Sequence, residues 1–258
     1  MRVITLNANG IRAAARRGFF EWAQSQEPDV VCLQETRAQE RQLPLQAFSL
    51  PGFREYFVDA RRRGYSGVAL YSRREPLDVH RALGWPEIDS EGRFLQADFE
   101  NVSVTSLYVP SGITGPARQA FKMNFLERLL ATLARMRHSG RNHIVCGDFN
   151  IAHKTIDTYS RARNGYVSGF LPEERAWMDA LVERLGWVDA FRIVNREPKQ
   201  YTWWSNWPQA RERNLGWRID YQMITPGLAP SVRNAFIYKD ARFSDHAPLV
   251  VDYALDAG

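Results

Sequence analysis

Residues 143–150 read His143-Ile144-Val145-Cys146-Gly147-Asp148-Phe149-Asn150. A short apolar, β-branched run closes on a glycine, a carboxylate and an amide. Its length and branching favour a strand, and the polar residues then stand at the strand's end. The same pattern recurs along the chain. Residues 3–6 lead to Asn7 and Asn9, and residues 30–33 lead to Gln34 and Glu35. Residues 102–109 carry Tyr108 and run on to Pro110 and Ser111, while Ser244-Asp245-His246 stands just before an apolar run at 249–253. Residues 68–71 and 219–224 complete the set of strand-like segments. Loops at strand ends project polar groups into a common crevice, so five such ends predict one site. Singly, Asn7, Asn150 and Asp148 read equally well as turn residues and Glu35 as a surface charge. Turns, however, do not require carboxylate, amide and histidine together.

Three stretches have helical spacing. Phe19–Ser25 follows Gly18 and ends before Pro28. Pro116–His138 sets Phe121, Phe125, Leu129, Leu130 and Leu133 at three- and four-residue steps before Gly140. Residues 172–185 open on Pro-Glu-Glu and close at Gly186. No repeat, low-complexity tract or linker interrupts the 258 residues, so a single domain spanning 1–258 is expected. The mixture predicts an α/β fold with a large sheet-rich core and helices outside.

Composition excludes several classes. Hydrophobic residues make up 45% and charged residues 24%, which rules out wholesale disorder. No apolar stretch approaches ~20 residues, so no membrane span is expected. The N-terminus reads as a strand rather than a signal peptide. Cys32 and Cys146 each sit inside an apolar run, as buried small hydrophobes rather than a disulfide or zinc framework. A reducing compartment, the cytoplasm with its nucleoid, is the expected location. Lys+Arg total 34 against 29 Asp+Glu, a net charge of +5. Lysine supplies only Lys122, Lys154, Lys199 and Lys239, so the remaining cations are arginines. Guanidinium forks match phosphate oxygens, and genomic base composition explains the bias equally well. The Arg61-Arg62-Arg63 run and the Arg211/Arg213 pair suit a nucleic-acid surface.

The polar set supports one chemistry. Glu35 and Asp245 are hard oxygen donors suited to Mg²⁺, which takes one or two carboxylates and fills its shell with water and phosphate. Asp148 beside Asn150 can orient or deprotonate a water. His246 can donate to a phosphate oxygen, with Asp220 fixing its tautomer. Tyr108 can place its hydroxyl beside charge developing at phosphorus. The sum is metal-assisted phosphodiester hydrolysis. A serine or cysteine nucleophile is unsupported, since no Gly-X-Ser-X-Gly elbow exists and neither cysteine has a histidine in a known motif.

From residue 3 to residue 248 the chain resembles the exodeoxyribonuclease III / apurinic–apyrimidinic endonuclease family, within the wider endonuclease–exonuclease–phosphatase superfamily. The resemblance rests on Leu6-Asn-Ala-Asn-Gly-Ile-Arg12, Leu33-Gln-Glu35, Gly64-Tyr-Ser-Gly67, Glu91-Gly-Arg93, Tyr108-Val-Pro-Ser-Gly112, Gly147-Asp-Phe-Asn150, Tyr201-Thr-Trp-Trp204, Gly216-Trp-Arg-Ile-Asp220 and Ser244-Asp-His-Ala-Pro248. Gly-Asp-X-Asn and Ser-Asp-His mark only the superfamily; the Leu-Gln-Glu, Tyr-Thr-Trp-Trp and Gly-Trp-Arg-Ile-Asp combination belongs to the DNA-repair branch. The resemblance implies a four-layer sandwich of two packed mixed β-sheets flanked by helices. It implies Glu35 as the main metal ligand with Asn7 and Asp245 nearby, in a metal-binding set that also takes in Asp148, Asn150 and His246. Mg²⁺ is the expected ion, with Mn²⁺ as the alternative. Asp148 would activate water, Asn150 would hold it, Tyr108 would stabilise the transition state, and Asp220 would orient His246 against the phosphate. Arg12, Ser111, Asn164, Trp203 and Trp217 fall to substrate binding, the two tryptophans around an extruded abasic sugar, with Phe243 beside them. Core packing is the other reading of these tryptophans. The implied activity is hydrolysis 5′ to an abasic site, leaving a 3′-hydroxyl, with 3′→5′ exonuclease or 3′-phosphodiesterase activity beside it. The implied partner is double-stranded DNA with abasic sites or blocked 3′ ends, bound by a monomer away from any membrane. Four departures from the family pattern stand out: Arg37 for the usual Lys, Ser160-Arg161-Ala162 for an Asn-Pro-Lys segment, Ser111 for an Asn seen in some members after the Tyr-X-Pro turn, and Ala190 for Ser or Thr. A phosphoesterase of lipid headgroups or inositol phosphates, and a catalytically silent DNA-binding paralogue, are the competing readings. Retention of Glu35, Asp148, Asn150, Asp245 and His246 argues against the second.

Overall fold

A computed structural model describes residues 1–43, 48–159 and 166–255. Two six-stranded mixed sheets face each other. In the first, β1 (Arg2–Asn7), β2 (Val30–Gln34), β3 (Arg54–Val58), β4 (Val68–Ser72), β13 (Val232–Ile237) and β14 (Leu249–Tyr253) lie in the order β13-β14-β1-β2-β4-β3. The second runs β5-β6-β7-β8-β12-β9, from β5 (Asp78–His80), β6 (Phe94–Asp98), β7 (Ser103–Tyr108), β8 (His143–Asp148), β9 (Val188–Asp189) and β12 (Asp220–Ile224). A two-stranded ribbon, β10 (Trp203–Trp204) with β11 (Gly216–Trp217), stands apart.

Central strands buried on both faces explain the continuous apolar runs of the sequence. In β1, Val3 enters the seam between the sheets with Val30, Cys32, Leu70, Val104 and Cys146, while Ile4 and Leu6 face outward. The outward face packs on α1 (Ile11–Arg16) and α2 (Phe19–Ser25) through Ile11, Phe19 and Phe20. The second sheet turns Leu107, Val145 and Met223 toward α4 (Pro116–His138) and α5 (Pro172–Asp179). A one-turn α3 (Pro86–Asp89) and α6 (Ala190–Val194) are further short helices. Helix, sheet, sheet and helix are the four expected layers. Among the described residues no helix is long and apolar enough to cross a membrane.

Buried polar ties, Gln34 and Gln222 among them, set one sheet against the other. Gln34 Nε2 donates to Ser106 Oγ at 3.0 Å, and Gln222 Nε2 donates to the Val3 carbonyl at 3.0 Å. The helix expected over 172–185 is α-helical only to Asp179; Ala180–Arg184 widens into a π-turn, with Leu185 N donating to the Ala180 carbonyl five residues back.

Candidate active site

Register brings the strand ends together. β1 and β2 run parallel with Asn7 opposite Gln34, so Asn7 and Glu35 emerge at one rim. β7 and β8 also run parallel, with Tyr108 opposite Asp148, and β12 begins antiparallel beside them with Asp220 opposite Asp148. The two sheets present these ends at one edge of the sandwich, where the 243–248 segment crosses before β14.

The side chains form one network. Asn7 Nδ2 donates to Glu35 Oε1 and to Asp148 Oδ2, each at 2.9 Å, and so joins the sheets. Asn150 donates its backbone N–H to Asp148 Oδ1 at 2.7 Å and its Nδ2 to Asp148 Oδ2 at 3.1 Å. His246 Nδ1 bonds Asp220 Oδ2 at 2.8 Å, leaving Nε2 4.0 Å from Asp148 Oδ2. Asp245 accepts from Asn9 Nδ2 at 2.8 Å and from Trp203 Nε1 at 3.2 Å. Arg37 pairs with Glu35 Oε2 through Nε at 2.8 Å and through Nη2. Asn9, Glu35, Arg37 and Asn150 all hold positive φ of 44–52°, so backbone strain is concentrated at this rim.

Burial sets the electrostatics. Asp148 is pushed up to about 7 by burial and by the Asp220 charge, against the pull of His246 and the donors Asn150 and Asn7. Burial alone would lower His246, but the charge and hydrogen bond of Asp220 raise it to about 10. The imidazole is therefore a cation at neutral pH with one N–H free to face a ligand. Burial and the Glu35 charge hold the Tyr108 phenol well above its ordinary range, so it stays a donor. Burial would raise Asp245; the His246 charge and the Asn9 and Trp203 bonds bring it below the usual carboxylate range.

The donor set fits a hard divalent ion. Glu35, Asp148, Asp220 and Asp245 converge with two directly facing cations, Arg37 and His246, and Asp220 Oδ1 is buried without a partner. Asp148, Asp220 and His246 place one ligand atom each within 4.8 Å of one another. His246 Nδ1 is engaged by Asp220, which makes that trio a better proton-handling group than a cage and leaves the oxygen donors near Glu35 for a cation.

The remaining sequence candidates fall into three groups. Trp203 and Trp217 are half-buried, edge to face at 6.3 Å, and pack on Phe170 beside the His246 ring. They form a wall of the site and also close a small apolar cluster. Ser111 follows β7 with its Oγ taken by the Ile113 N–H at 3.4 Å, and exposed Arg12 reaches the Gln42 carbonyl at 3.4 Å, so neither joins the network. Asn164 and the Ser160-Arg161-Ala162 segment lie outside the described residues. Two expectations are corrected. Phe243 is core, edge-on to Phe19 at 5.6 Å. Arg211 spends its guanidinium on the Ala241 and Ser244 carbonyls over the Trp204 ring, so it pins a turn rather than offering a free phosphate fork. Sequence reasoning passed over Thr202, whose Oγ1 accepts the Ile219 and Asp220 N–H groups, although the Tyr-Thr-Trp-Trp motif contained it.

Beneath Trp217, Asp157 is buried between Arg218 Nε at 2.8 Å and Arg192 Nη2 at 2.6 Å. Burial alone would raise this carboxyl, yet Arg218 and then Arg192 hold it at about 2. Asp157→Asn is expected to destabilise the fold by about 3 kcal/mol, because buried Arg218 is left with Asp189 as its one carboxylate partner and half-buried Arg192 loses its own. The folded value lies below the unfolded one. The ionised pair therefore contributes fully above about pH 4, and ~2 kcal/mol is lost as pH falls through about 2. Urea melts at pH 7 and pH 2.5 check this: the gap between wild type and variant should narrow in acid, and a constant gap would contradict it.

Comparison with known proteins adds a consistent picture. The model of the Endonuclease/Exonuclease/phosphatase family matches residues 4–246. An exodeoxyribonuclease of Bacillus subtilis (strain 168) is 37% identical over 251 residues, 96% of this chain and 98% of that protein. The solved structure of an AP endonuclease from Archaeoglobus fulgidus superposes with a TM-score of 0.90 at 30% identity, covering 99% of this chain and 100% of that one. A 3′ phosphatase from Neisseria, solved with a product DNA hairpin, gives 0.85 at 26% identity over 99% and 100% of the two chains.

Proposed function

The chain belongs to the Endonuclease/Exonuclease/phosphatase family, and from that premise we propose that it is a DNA-repair phosphodiesterase cutting 5′ to an abasic site in duplex DNA and leaving a 3′-hydroxyl. Its nuclease activity includes 3′-end processing, as in the 3′ phosphatase and exodeoxyribonuclease relatives. The observation that carries the reading is the unbroken chain from Glu35 through Asn7 to Asp148, with the Asp220-backed imidazole of His246 beside it.

The residues divide the work as follows. Glu35, with Asn7 and Asp245 nearby, would hold Mg²⁺, or Mn²⁺ in its place. Held there, the ion would supply positive charge to offset the charge that develops on the phosphate in the transition state. Asp148 takes the proton of the attacking water, and Asn150 holds that water in line. His246 donates Nε2–H to a non-bridging oxygen. Tyr108, buried and protonated, directs its hydroxyl at the same developing charge. An abasic nucleotide has lost its stacking base and costs less to turn out of the helix, and Trp203 and Trp217 offer it an apolar wall. Exposed Arg61, Arg62 and Arg63 are available for the DNA backbone. One chain furnishes every group named, so the proposed working form is a monomer.

A duplex with a single abasic site, incubated with Mg²⁺ and with chelator, tests the reading. Metal-dependent nicking that leaves a 3′-hydroxyl is expected; DNA binding with no nicking in either condition would overturn it. Glu35→Ala should raise the Mg²⁺ concentration giving half-maximal rate by about 10- to 100-fold, with activity partly regained at excess metal. An unchanged metal titration would count against ligation by Glu35.

A further inference from the structure

Lys122 on α4 and Glu174 on α5 form an ion pair with neither side chain exposed to solvent, the ammonium 2.5 Å from Oε1. Two charges brought out of water carry a heavy desolvation cost, and apolar residues of similar volume often serve packing as well or better. The geometry shows what these charges reach. Lys122 Nζ donates a second bond, at 2.8 Å, to the carbonyl oxygen of Asn150. Asn150 sits in the left-handed region at φ 52°, with its Nδ2 on Asp148 Oδ2 and on the Val109 carbonyl. Glu174 faces the other way: Oε2 accepts the Gly169 N–H at 2.6 Å and the Leu171 N–H at 3.0 Å, and Oε1 accepts from Gln119 and Ser168. Gly169 itself is wedged in place. A Cβ there would stand 2.9 Å from the Trp217 ring and 3.2 Å from the Asn150 oxygen, so the backbone fits only as glycine between the two.

We propose that Lys122 and Glu174 are a positioning pair for catalysis, a buried clasp that holds Asn150 in its strained conformation at a set distance from the Trp217 wall. The inference rests on the reading of Asn150 as the group that holds the attacking water. Neither residue touches substrate. The Lys122 arm fixes where the Asn150 amide and, through it, the Asp148 carboxylate point. The Glu174 arm fixes the 168–171 turn on which Trp217 leans. Loss of the Lys122 arm therefore impairs turnover more than substrate binding, because the 168–171 turn beneath Trp217 keeps its own bonds to residue 174.

The test uses the full chain on the abasic duplex, with kcat, KM and the melting temperature measured for each variant. Lys122→Met with Glu174→Gln removes both charges at nearly constant volume, and the Gln oxygen can still accept from Gly169 and Leu171. Because no lone buried charge remains, this double variant is expected to melt close to wild type. Its kcat should nevertheless fall about 10- to 100-fold with KM nearly unchanged, since displacements of about an ångström at a reacting group cost that much. Glu174→Asp is the companion. It keeps the charge, so it folds without an orphaned ammonium, but it is too short to span Lys122 and the 168–171 turn together, so kcat should fall likewise and KM should rise with it as the turn under Trp217 loosens. Asn150→Ala in the same assay separates the two claims. Wild-type kcat in both clasp variants with an inactive Asn150→Ala would overturn the clasp and leave the role of Asn150 standing. An active Asn150→Ala would overturn that role and the clasp with it.

Discussion

Asp148→Asn is expected to lower kcat on an abasic duplex by about 10²- to 10⁴-fold while leaving DNA affinity nearly intact. The carboxylate is the one group that accepts from Asn7 and from both donors of Asn150, and burial with the Asp220 charge holds it at about 7. A carboxylate whose proton affinity is raised in this way is the stronger base for taking a proton from water. An amide cannot take that proton, and its NH₂ would face the Nδ2 groups of Asn7 and Asn150, so the variant loses both the base and the order around it. The sign of the pH effect follows. The active, ionised form accumulates as pH rises, so the wild-type rate should climb with pH toward a plateau. With a cation held near Glu35, the ionised form of Asp148 would be favoured and that climb would lie at lower pH. In the variant the acid limb should vanish along with the turnover. Single-turnover rates and binding from pH 5 to pH 9 would check this, and normal turnover in Asp148→Asn would remove Asp148 from the role.

Asp220→Asn should be nearly as damaging, by about 10²- to 10⁴-fold, and its pH signature is distinct. Asp220 is fully buried, bonded to His246 Nδ1 at 2.8 Å and held by Thr202 through its backbone. Its charge does two things at once: it raises His246 to about 10 and it raises Asp148. With the charge removed, both groups lose that upward push. The imidazolium then deprotonates within the working range, so the rate should fall as pH rises through it. The Asp148 limb should move to lower pH. The whole profile therefore shifts toward acid, and the residual activity peaks there. The loss is large because an amide at position 220 also permits the wrong tautomer of the imidazole, as in other buried carboxylate–histidine pairs. A profile of unchanged shape in Asp220→Asn would refute the electrostatic link, whatever the size of the rate loss. His246→Gln, which has no ionisable group, should show no alkaline limb and serves as the reference.

The strands easiest to read were those sealed on both faces. β1, β2, β4, β8 and β14 are almost wholly buried and each carries an apolar, β-branched stretch, because each lies between another sheet and a helix layer. β3 and β13 went unread for the opposite reason. They are edge strands, and Arg54, Glu55, Arg233 and Asn234 interrupt any apolar pattern. α4 was legible over its full length because its apolar residues repeat at helical steps against the second sheet. The π-turn at Ala180–Arg184 has no signal in residue type, since it is a change of hydrogen-bond reach and not of composition.

Composition and order along the chain determined which groups exist and at which strand ends they stand: an amide at 7, carboxylates at 35 and 148, a histidine at 246. Local sequence carries that much because strand propensity and turn chemistry act over a few residues. Only the tertiary structure decided that these groups meet, since their meeting depends on parallel register within each sheet and on the facing of two sheets. The same holds for the charges. That Asp148 rests near neutrality, that His246 stays a cation, and that Lys122 reaches Glu174 and Asn150 across three elements all follow from burial and distance. Those are properties of the packed chain, in which electrostatic interactions strengthen as water is excluded.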